Sequence, residues 1–466
     1  MNEGKTSGVK PRSKALGAAS VGNPFPVKRP PGFVPRAAAA RIVHQVLNER
    51  RALDDALERA FAMPACDGLE PRDRAFARLI AVTVLRRLGE LDPVVKSFIG
   101  KPLPGNTGLL WPILLSASAQ LLCLETPPHA AISLAVDQTR ADTGARRFDR
   151  LANAVLRRVA IEGPAKLAAL DGARLNTPEW MWTRWVASYG EDCARLIASA
   201  NLTEAALDVS CRADAPGWAE RLGGIVLPTG SVRVKSHGRI EDLAGYDDGA
   251  WWVQDAAAAL PGRLFGDVAG LAIADLCAAP GGKTAELAAR GAHVTAVDVS
   301  AARLTRLNAN LARLKLKAEC VAADATTWVP GRAFDAVLLD APCTASGTIR
   351  RHPDILRLKQ AGDIAQLAST QEKLLTAAAR LVKLGGLLIY CTCSLEPEEG
   401  VEQIERFLAV NADFRREPVL AGEIGGLVEA ITVDGDLRTL PIHLQMDDPQ
   451  LSGLDGFYAA RLRRMG

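Results

Sequence analysis

The sequence predicts a multidomain protein in which an all-α helical bundle precedes a doubly wound α/β domain. Three observations lead to this fold class. Between residues 36 and 159, apolar residues recur at spacings of three and four, which is typical of amphipathic helices. From residue 269 onward, short buried runs alternate with helical segments, which indicates parallel strands with helices on both faces of the sheet. The 466 residues also exceed what a single hydrophobic core usually organises.

The composition restricts the class of protein and its partners. Hydrophobic content of 48% and charged content of 23% are ordinary for a globular protein. The nine cysteines are odd in number and scattered, with no secretory leader, so reduced thiols and a cytoplasmic location are expected. No run approaches the roughly 18 apolar residues of a membrane span, so no membrane partner is expected. The net charge of only +3 means that binding to a polyanion would depend on local basic patches.

The start of the chain predicts a disordered basic tail. Residues 1–33 contain six Lys or Arg against one acid, with Pro, Gly and Ser throughout and no apolar periodicity. Both a solvated leader and an arm that contacts RNA fit this composition.

The helical bundle is predicted for residues 34–165. One apolar stripe includes Ile42, Val43 and Val46, and similar stripes follow along the chain. Turn sequences rich in Pro and Gly separate the helices, as in KPLPGNTG (101–108).

A linker or pre-catalytic subdomain is expected at residues 166–255. It contains a predicted helix in NTPEWMWTRWVASYG (176–190). It ends in a strand-like WWV followed by a helical run (249–261), which leads into the α/β domain at residues 256–466.

A ligand site is predicted at one edge of the sheet. In DLCAAPGGKTAE (275–286), a buried strand ends at a Gly-Gly turn, where a ligand can approach the backbone and the start of the next helix. The following strands end at Asp298, Asp324 and Asp340. A carboxylate in such a position can accept both hydroxyls of a ribose, which favours a nucleoside-containing cofactor. This pattern alone is compatible with a dehydrogenase and with a methyltransferase.

Two cysteines stand at the end of the strand in LIYCTCSLEPEEG, and a third follows the strand that ends in LLDAPC. These residues are Cys391, Cys393 and Cys343. Free cysteines are commonly buried hydrophobic residues. No CxxC pair or nearby His companion accompanies them, and His352 alone cannot complete a ligand set, so no metal is expected.

The motifs resemble those of a known enzyme family. DLCAAPGGKT, VDVS, ADA, DAPCTASGTIRRHPDI and CTCSLEPEEG, in this order and spacing, resemble the RsmB/NOP (NSUN-type) family of RNA cytosine-C5 methyltransferases. The segments DRAFARLIAVTVLRR, HAAISLAVDQTR and FDRLANAVLRR resemble the NusB-type RNA-binding domain, which bacterial RsmB-type members carry at the N-terminus. The resemblance extends from about residue 34 to the end. It implies a Rossmann-like class I S-adenosylmethionine-dependent methyltransferase domain after a NusB-like bundle.

The resemblance assigns roles to the thiols. Cytosine C5 is a poor nucleophile until a thiolate adds to C6, and a base must later remove the C5 proton. By resemblance, Cys393 is the nucleophile and Cys343 assists proton removal and release. Asp340 is implied to lie between the cofactor methyl group and the base, where it bonds cytosine N3 or the amino group. Cys391 has no role in the family, and packing at the strand end is expected of it.

The resemblance also implies S-adenosyl-L-methionine as cofactor. Asp298 would hold the ribose, Asp324 the adenine amino group, and Lys283 could also contact the RNA base or a carboxylate. Arg350, Arg351 and the following HPD would face RNA. The residues implied to bind the cofactor are Cys277, Ala278, Ala279, Pro280, Gly281, Gly282, Lys283, Asp298, Asp324 and Asp340.

The expected function is therefore methylation of cytosine C5 in RNA, with 16S ribosomal RNA as the implied substrate, by a monomer. One alternative is a catalytically silent NusB-like RNA-binding module. Methylation of tRNA, of another RNA or of a small molecule is a further alternative. The absence of an ENV motif disfavours a DNA cytosine-C5 enzyme, and DAPCT lacks the aromatic residue that an amino-group methylase of NPPY type would have.

Overall fold

The fold is described by a computed structural model for residue 1, residues 29–235 and residues 238–465. The predicted disordered tail consists mainly of residues 2–28, which lie outside the described residues. None of the helices in the described ranges is both long and apolar enough to cross a membrane.

A helical bundle forms the first part of the described chain. Its central helix carries apolar side chains almost all around, because Ile113, Leu114 and Leu115 are all buried against neighbouring helices. The bundle contains α1 (Phe33–Leu47), α2 (Leu53–Phe61), α3 (Pro71–Arg86), α4 (Leu88–Lys96), the central α5 (Leu110–Leu122), α6 (Pro128–Ala141) and α7 (Asp149–Ala168).

A small antiparallel sheet follows the bundle. The strand order is β2-β3-β1-β4, and a buried ion pair lies within it, since Arg233 Nε and Asp208 Oδ1 are 2.7 Å apart. Trp251, a residue of this sheet, is fully buried in the hydrophobic cluster of the subdomain. The elements are α8 (Gly172–Asn176), α9 (Glu179–Tyr189), α10 (Glu191–Ala200), β1 (Leu207–Cys211), α11 (Ala215–Arg221), β2 (Gly224–Val226), β3 (Val232–Val234) and β4 (Trp251–Val253).

The rest of the chain forms a mixed α/β sheet of order β10-β12-β9-β8-β5-β6-β7. Strands β9, β8, β5, β6 and β7 are parallel, whereas β12 pairs antiparallel with β9, β10 and β11. The elements are α12 (Ala256–Arg263), β5 (Ala272–Leu276), α13 (Gly282–Ala289), β6 (His293–Asp298), α14 (Ala301–Leu314), β7 (Glu319–Ala322), β8 (Phe334–Asp340), α15 (Ile355–Leu358), α16 (Ala361–Leu381), β9 (Val382–Thr392), α17 (Val401–Val410), β10 (Phe414–Arg416), β11 (Leu437–Thr439) and β12 (Phe457–Arg464).

The predicted fold class is confirmed. The buried runs predicted as strands form β5, β6, β7, β8 and β9, with α13, α14 and α16 between them. The central order β8-β5-β6 places the point where the strand order reverses beside β5, and ligands of open α/β sheets bind at such a point.

The helical bundle is joined to the α/β domain through the segment between β8 and α16. The Asp354 carboxylate accepts a hydrogen bond of 3.0 Å from the backbone N–H of Leu53, at the start of α2. The guanidinium of Arg86 on α3 donates to the Arg350 carbonyl at 2.7 Å. These contacts fix the bundle to the loop that follows the predicted site.

The prediction that Arg350 and Arg351 face RNA is wrong. Arg350 is only 3% exposed and donates to the Ser452 carbonyl at 2.9 Å. Arg351 forms ion pairs with Asp255 and with Asp455, the latter at 3.0 Å. Because buried guanidinium groups need such partners, these arginines stabilise the fold and are not free to bind phosphate.

Replacing Asp354 with alanine is expected to lower the free energy of unfolding by about 1–3 kcal/mol, because the buried N–H of Leu53 loses its acceptor. Chemical denaturation would measure this change. Asp54, the exposed residue that follows Leu53, provides the control, and its replacement with alanine should have a smaller effect. Equal effects of the two substitutions would contradict a stabilising role for the Asp354 contact.

Candidate active site

The Gly-Gly turn after β5 is attached to the neighbouring strand. Ala278 N–H donates to the Val297 carbonyl of β6 at 3.1 Å. The turn contains a cis peptide bond before Pro280, and Gly281 has a φ of 104°, a conformation that favours glycine. A side chain at residue 281 would also approach Leu307 to 2.7 Å. The turn therefore requires glycine at this position, and α13 begins directly after it.

Asp298, at the end of β6, is bound to the same turn. Its Oδ2 accepts a hydrogen bond of 3.2 Å from Ala279 N–H, and its Oδ1 accepts one of 2.9 Å from Ser300 N–H. The carboxylate is buried, and Arg303 of α14 lies 3.4 Å from it. Arg303, which the sequence patterns did not indicate, lies in the first turn of α14 and covers this carboxylate.

Asp324 follows β7 and is exposed. Its Oδ1 accepts hydrogen bonds from the hydroxyl of Thr326 at 2.7 Å and from the Thr326 N–H at 2.9 Å. The hydrogen bonds from Thr326 lower the pKa of Asp324 below its ordinary value. Asp324 thus stays ionised at the same sheet edge as Asp298.

Asp340, at the end of β8, forms a largely buried ion pair with Lys283 of α13. Lys283 Nζ lies 2.8 Å from Asp340 Oδ2, and only 8% of Lys283 is exposed. Burial alone would lower the pKa of Lys283, but the charge of Asp340 outweighs it and raises the pKa above the usual range. The Cys391 thiol donates to the other oxygen of Asp340 at 3.5 Å, so Cys391 contacts the carboxylate besides packing in the core. These contacts hold the Asp340 side chain in place.

The sulfurs of Cys343 and Cys393 are 3.4 Å apart. Cys343 lies on the loop after β8 and Cys393 directly after β9, so two adjacent parallel strands deliver the thiols to one point. Hydrogen bonding to Cys393 and burial raise the pKa of Cys343 well above its ordinary value. The Cys343 thiol is therefore protonated at neutral pH.

Two further titratable groups, the buried Asp275 and the half-buried Cys277, lie where β5 leads into the turn. The Asp275 carboxylate accepts a hydrogen bond of 2.5 Å from the Thr284 hydroxyl, and burial raises its pKa to about 7. Burial also raises the pKa of Cys277 to about 12, which keeps this thiol neutral.

A groove leads from solvent to Cys393. One wall comes from the helical bundle and contains Leu53, and the opposite wall contains Leu367 of α16. His352 and Asp354 of the predicted RNA-facing HPD both line this groove, and Asp354 is buried and bound to Leu53. Of the two paired thiols, Cys393 lines this groove.

The structure brings the predicted residues together in three groups. Asp298 contacts the turn, Lys283 contacts Asp340, and Cys343 contacts Cys393. Within residues 29–235 and 238–465, no group of three or more His, Cys, Asp or Glu side chains is arranged to hold a metal ion.

Known proteins resemble both parts of the chain. Residues 268–463 match the family model described as 16S rRNA methyltransferase RsmB/F, and residues 34–161 match the model of the NusB family. Ribosomal RNA small subunit methyltransferase B of Vibrio cholerae is 35% identical over 398 residues, which cover 82% of this chain and 90% of the relative.

Two solved structures have a similar fold. The protein PH0851 has a TM-score of 0.74 at 23% identity, over 94% of this chain and 100% of that chain. NSun6 from Pyrococcus horikoshii, solved with SFG, has a TM-score of 0.52 at 18% identity, over 62% of this chain and 98% of that chain.

Proposed function

Because the chain belongs to the RsmB/F family of 16S rRNA methyltransferases, we propose that it methylates C5 of a cytosine in small-subunit ribosomal RNA through a covalent adduct between Cys393 and cytosine C6. The observation that carries this proposal is the contact of 3.4 Å between the Cys343 and Cys393 sulfurs, on strands adjacent to the predicted cofactor edge. Methylation at C5 requires a nucleophile at C6 and a base for the C5 proton, and a pair of thiols can supply both.

The residues at the sheet edge fit S-adenosylmethionine. Asp298 and Asp324 are carboxylates at the ends of adjacent strands, which suits the hydroxyl and amino donors of an adenosine. The Gly-Gly turn leaves the backbone at the start of α13 accessible to a ligand. When bound, the cofactor supplies an electrophilic methyl group on a sulfonium. The related NSun6 fold was solved with SFG, an analogue of this cofactor.

Cys393 acts first in the proposed reaction. Its thiolate forms a bond to cytosine C6, and the electron pair of the C5–C6 double bond becomes available at C5. Cys343 is protonated at this stage, because the hydrogen bond to Cys393 and burial raise its pKa, and its sulfur lies 3.4 Å from that of Cys393. The bond to C6 then consumes the negative charge of Cys393.

Cys343 acts second. Once Cys393 is bonded to C6, the anionic acceptor beside Cys343 is gone, and Cys343 can release its proton to solvent. After C5 has taken up the methyl group, the resulting thiolate removes the C5 proton as the C6–S bond breaks, which restores the aromatic ring and returns Cys393 as a thiolate. One proton leaves to solvent in each cycle, as replacement of the C5 hydrogen by a methyl group requires.

Asp340 positions the cytosine ring in this scheme. Lys283 and the Cys391 thiol bind one carboxylate oxygen each, which leaves the remaining lone pairs to accept from the cytosine amino group. A carboxylate that bonds this group also distinguishes cytosine from uracil, whose O4 is an acceptor. The buried Lys283 stabilises negative charge on Asp340 throughout the reaction.

Two alternatives differ in their products. A silent RNA-binding module would bind RNA without releasing methylated nucleoside, although the paired thiols and the Lys283–Asp340 ion pair argue against an abandoned site. A methyltransferase for tRNA or for small molecules would leave ribosomal RNA unlabelled.

The test is methylation with cofactor labelled in the methyl group. Unmodified 16S rRNA, the assembled small subunit and tRNA are incubated separately with the protein, and the RNA is digested to nucleosides. We expect labelled 5-methylcytidine from 16S rRNA, free or assembled. Label in another nucleoside would overturn the C5 assignment, and label only in tRNA would overturn the substrate. Binding of 16S rRNA without methylation of any of the substrates would favour the silent module.

Replacing Asp298 with alanine is expected to weaken cofactor binding about 10- to 100-fold, because hydrogen bonds to a charged acceptor are lost. Calorimetric titration with S-adenosylmethionine measures this affinity. Asp335 provides a matched control, since it lies at the opposite end of β8 and accepts a hydrogen bond from Ala272. An Asp335→Asn variant should bind the cofactor normally. Unchanged affinity in Asp298→Ala would contradict its proposed role at the ribose.

A further inference from the structure

Glu399 links the two loops that carry the thiols. It lies in the PEEG sequence after Cys393, and it is completely buried. Its Oε1 accepts a hydrogen bond of 2.9 Å from the backbone N–H of Thr344, the residue after Cys343. Its Oε2 accepts one of 2.5 Å from the hydroxyl of Ser394, the residue after Cys393. One carboxylate therefore binds the chain neighbour of each thiol.

Additional contacts make this link rigid. The Thr344 hydroxyl donates to Glu399 Oε2 and lies 3.1 Å from the Ser394 hydroxyl. Gln371 of α16 donates to Glu399 Oε1 at 3.1 Å and to the Pro342 carbonyl at 2.9 Å, on the other side of Cys343. The three residues that donate to the Glu399 carboxylate, Gln371, Thr344 and Ser394, are fully buried.

The backbone of Glu399 is fixed to β9. Its carbonyl accepts hydrogen bonds from the Tyr390 hydroxyl at 2.8 Å and from the Thr392 hydroxyl at 3.1 Å. The Cys393 carbonyl in turn accepts from Gly347 N–H at 3.0 Å, a second link between the loops. The end of β9 and the Cys343 loop thus form one hydrogen-bonded unit.

The chemistry of this network is unusual for a purely structural element. Each of the groups that bind the Glu399 carboxylate is neutral: a backbone N–H, two hydroxyls and a side-chain amide. A buried carboxylate without a cation is costly, and such groups are concentrated at functional sites. The negative charge of Glu399 also acts on Cys343 and raises the pKa of that thiol.

We propose that Glu399 is a positioning residue that sets the separation of the Cys343 and Cys393 sulfurs, an inference that rests on the proposed two-thiol reaction. Glu399 does not touch the reacting atoms. It acts through Thr344 and Ser394, whose positions determine where each neighbouring sulfur lies. Without it, the loops are joined by the contact between the Thr344 and Ser394 hydroxyls and by the Gly347–Cys393 hydrogen bond, and the sulfurs move apart.

The first readout is the rate of disulfide formation, which requires neither RNA nor cofactor. Diamide oxidises two thiols to a disulfide, and it takes up the two electrons and two protons to become a hydrazine. Mass spectrometry of peptides measures the Cys343–Cys393 disulfide separately from others. Glu399→Ala is expected to slow its formation at least about 10-fold, since the reaction needs the sulfurs in contact.

The second readout is methylation of 16S rRNA. Glu399→Ala is expected to lower kcat about 100-fold, the loss that a displacement of about 1 Å can cause, while the KM for S-adenosylmethionine is unchanged. Glu399→Gln retains a carbonyl oxygen for Thr344 N–H, and it should recover most of the disulfide rate and kcat. The half-buried Glu402 pairs with Arg406 outside this network, so Glu402→Ala should match the original protein in both readouts.

A Glu399→Ala protein that forms the disulfide at the original rate would overturn the proposal. If this variant does not fold, Ser394→Ala replaces it, because this substitution removes the hydroxyl that joins Ser394 to Glu399. An unchanged disulfide rate in that variant would also contradict the proposal, and a reduced rate would support it. If Glu399→Ala slows the disulfide but the original protein does not methylate RNA, the proposed function fails and the positioning role stands.

Discussion

The Cys393→Ala variant is expected to lose methyl transfer by at least about 10⁴-fold, because no other thiol can attack cytosine C6 from that position. Cys343 is the nearest alternative, but its sulfur is displaced by 3.4 Å and its pKa is raised. Affinity for S-adenosylmethionine should be unchanged, because Asp298 and the Gly-Gly turn are intact. Initial rates with labelled cofactor and 16S rRNA measure the loss.

Cys320 provides the control for this experiment. It is a half-buried thiol on β7, and Cys320→Ala should retain full activity. Activity in Cys393→Ala combined with complete loss in Cys343→Ala would reverse the roles of the two thiols. Activity in both variants would exclude a cysteine nucleophile at this site.

Asp340→Asn is expected to lower kcat/KM about 10²- to 10³-fold, since a preorganised charge beside the cytosine ring is removed. It should also lower the free energy of unfolding by about 3 kcal/mol, because the largely buried Lys283 loses its counterion. Steady-state kinetics and chemical denaturation measure the two effects.

A double variant separates the two effects of this substitution. In Asp340→Asn combined with Lys283→Met, no unpaired ammonium is left, so most of the lost stability should return. Activity should stay low, because the carboxylate is still absent. Recovery of activity together with stability would show that Asp340 has only a structural role.

The central architecture was predictable from local patterns. The apolar runs of β5, β6 and β8 end in Asp or in the Gly-Gly turn, and parallel strands bring their carboxyl ends to one edge. This geometry explains why motifs 20 to 120 residues apart, such as VDVS and CTCS, meet in the structure. The resemblance to the two families was likewise correct, because the motif sequences are specific.

The misassigned residues depend on distant partners. Adjacent arginines at 350 and 351 have the composition of an RNA-binding surface, and the sequence does not show that Asp255 and Asp455 surround Arg351. These carboxylates are about 100 residues away on either side, and only the folded chain pairs them. The local sequence around an arginine does not indicate an aspartate partner so far away in the chain.

The site also contains contacts between distant residues that the sequence patterns did not predict. Lys283 on α13 pairs with Asp340 on β8, although β6 and β7 lie between them in the chain. In the sequence, Glu399 is only one of three glutamates that follow Cys393. Its neighbours Glu396 and Glu398 bind Arg184 instead. Contacts in three dimensions are what distinguish Glu399 from them, because only Glu399 binds both Thr344 and Ser394.

The most direct measurement of the central claim is the detection of a covalent protein–RNA adduct under denaturing conditions. Cys343→Ala and Cys393→Ala are each incubated with S-adenosylmethionine and unmodified 16S rRNA, and the products are separated on a denaturing gel. We expect a stable adduct with Cys343→Ala, in which Cys393 attacks but release is blocked, and none with Cys393→Ala. An adduct with Cys393→Ala, or none with either variant on RNA that the original protein methylates, would contradict the two-thiol mechanism.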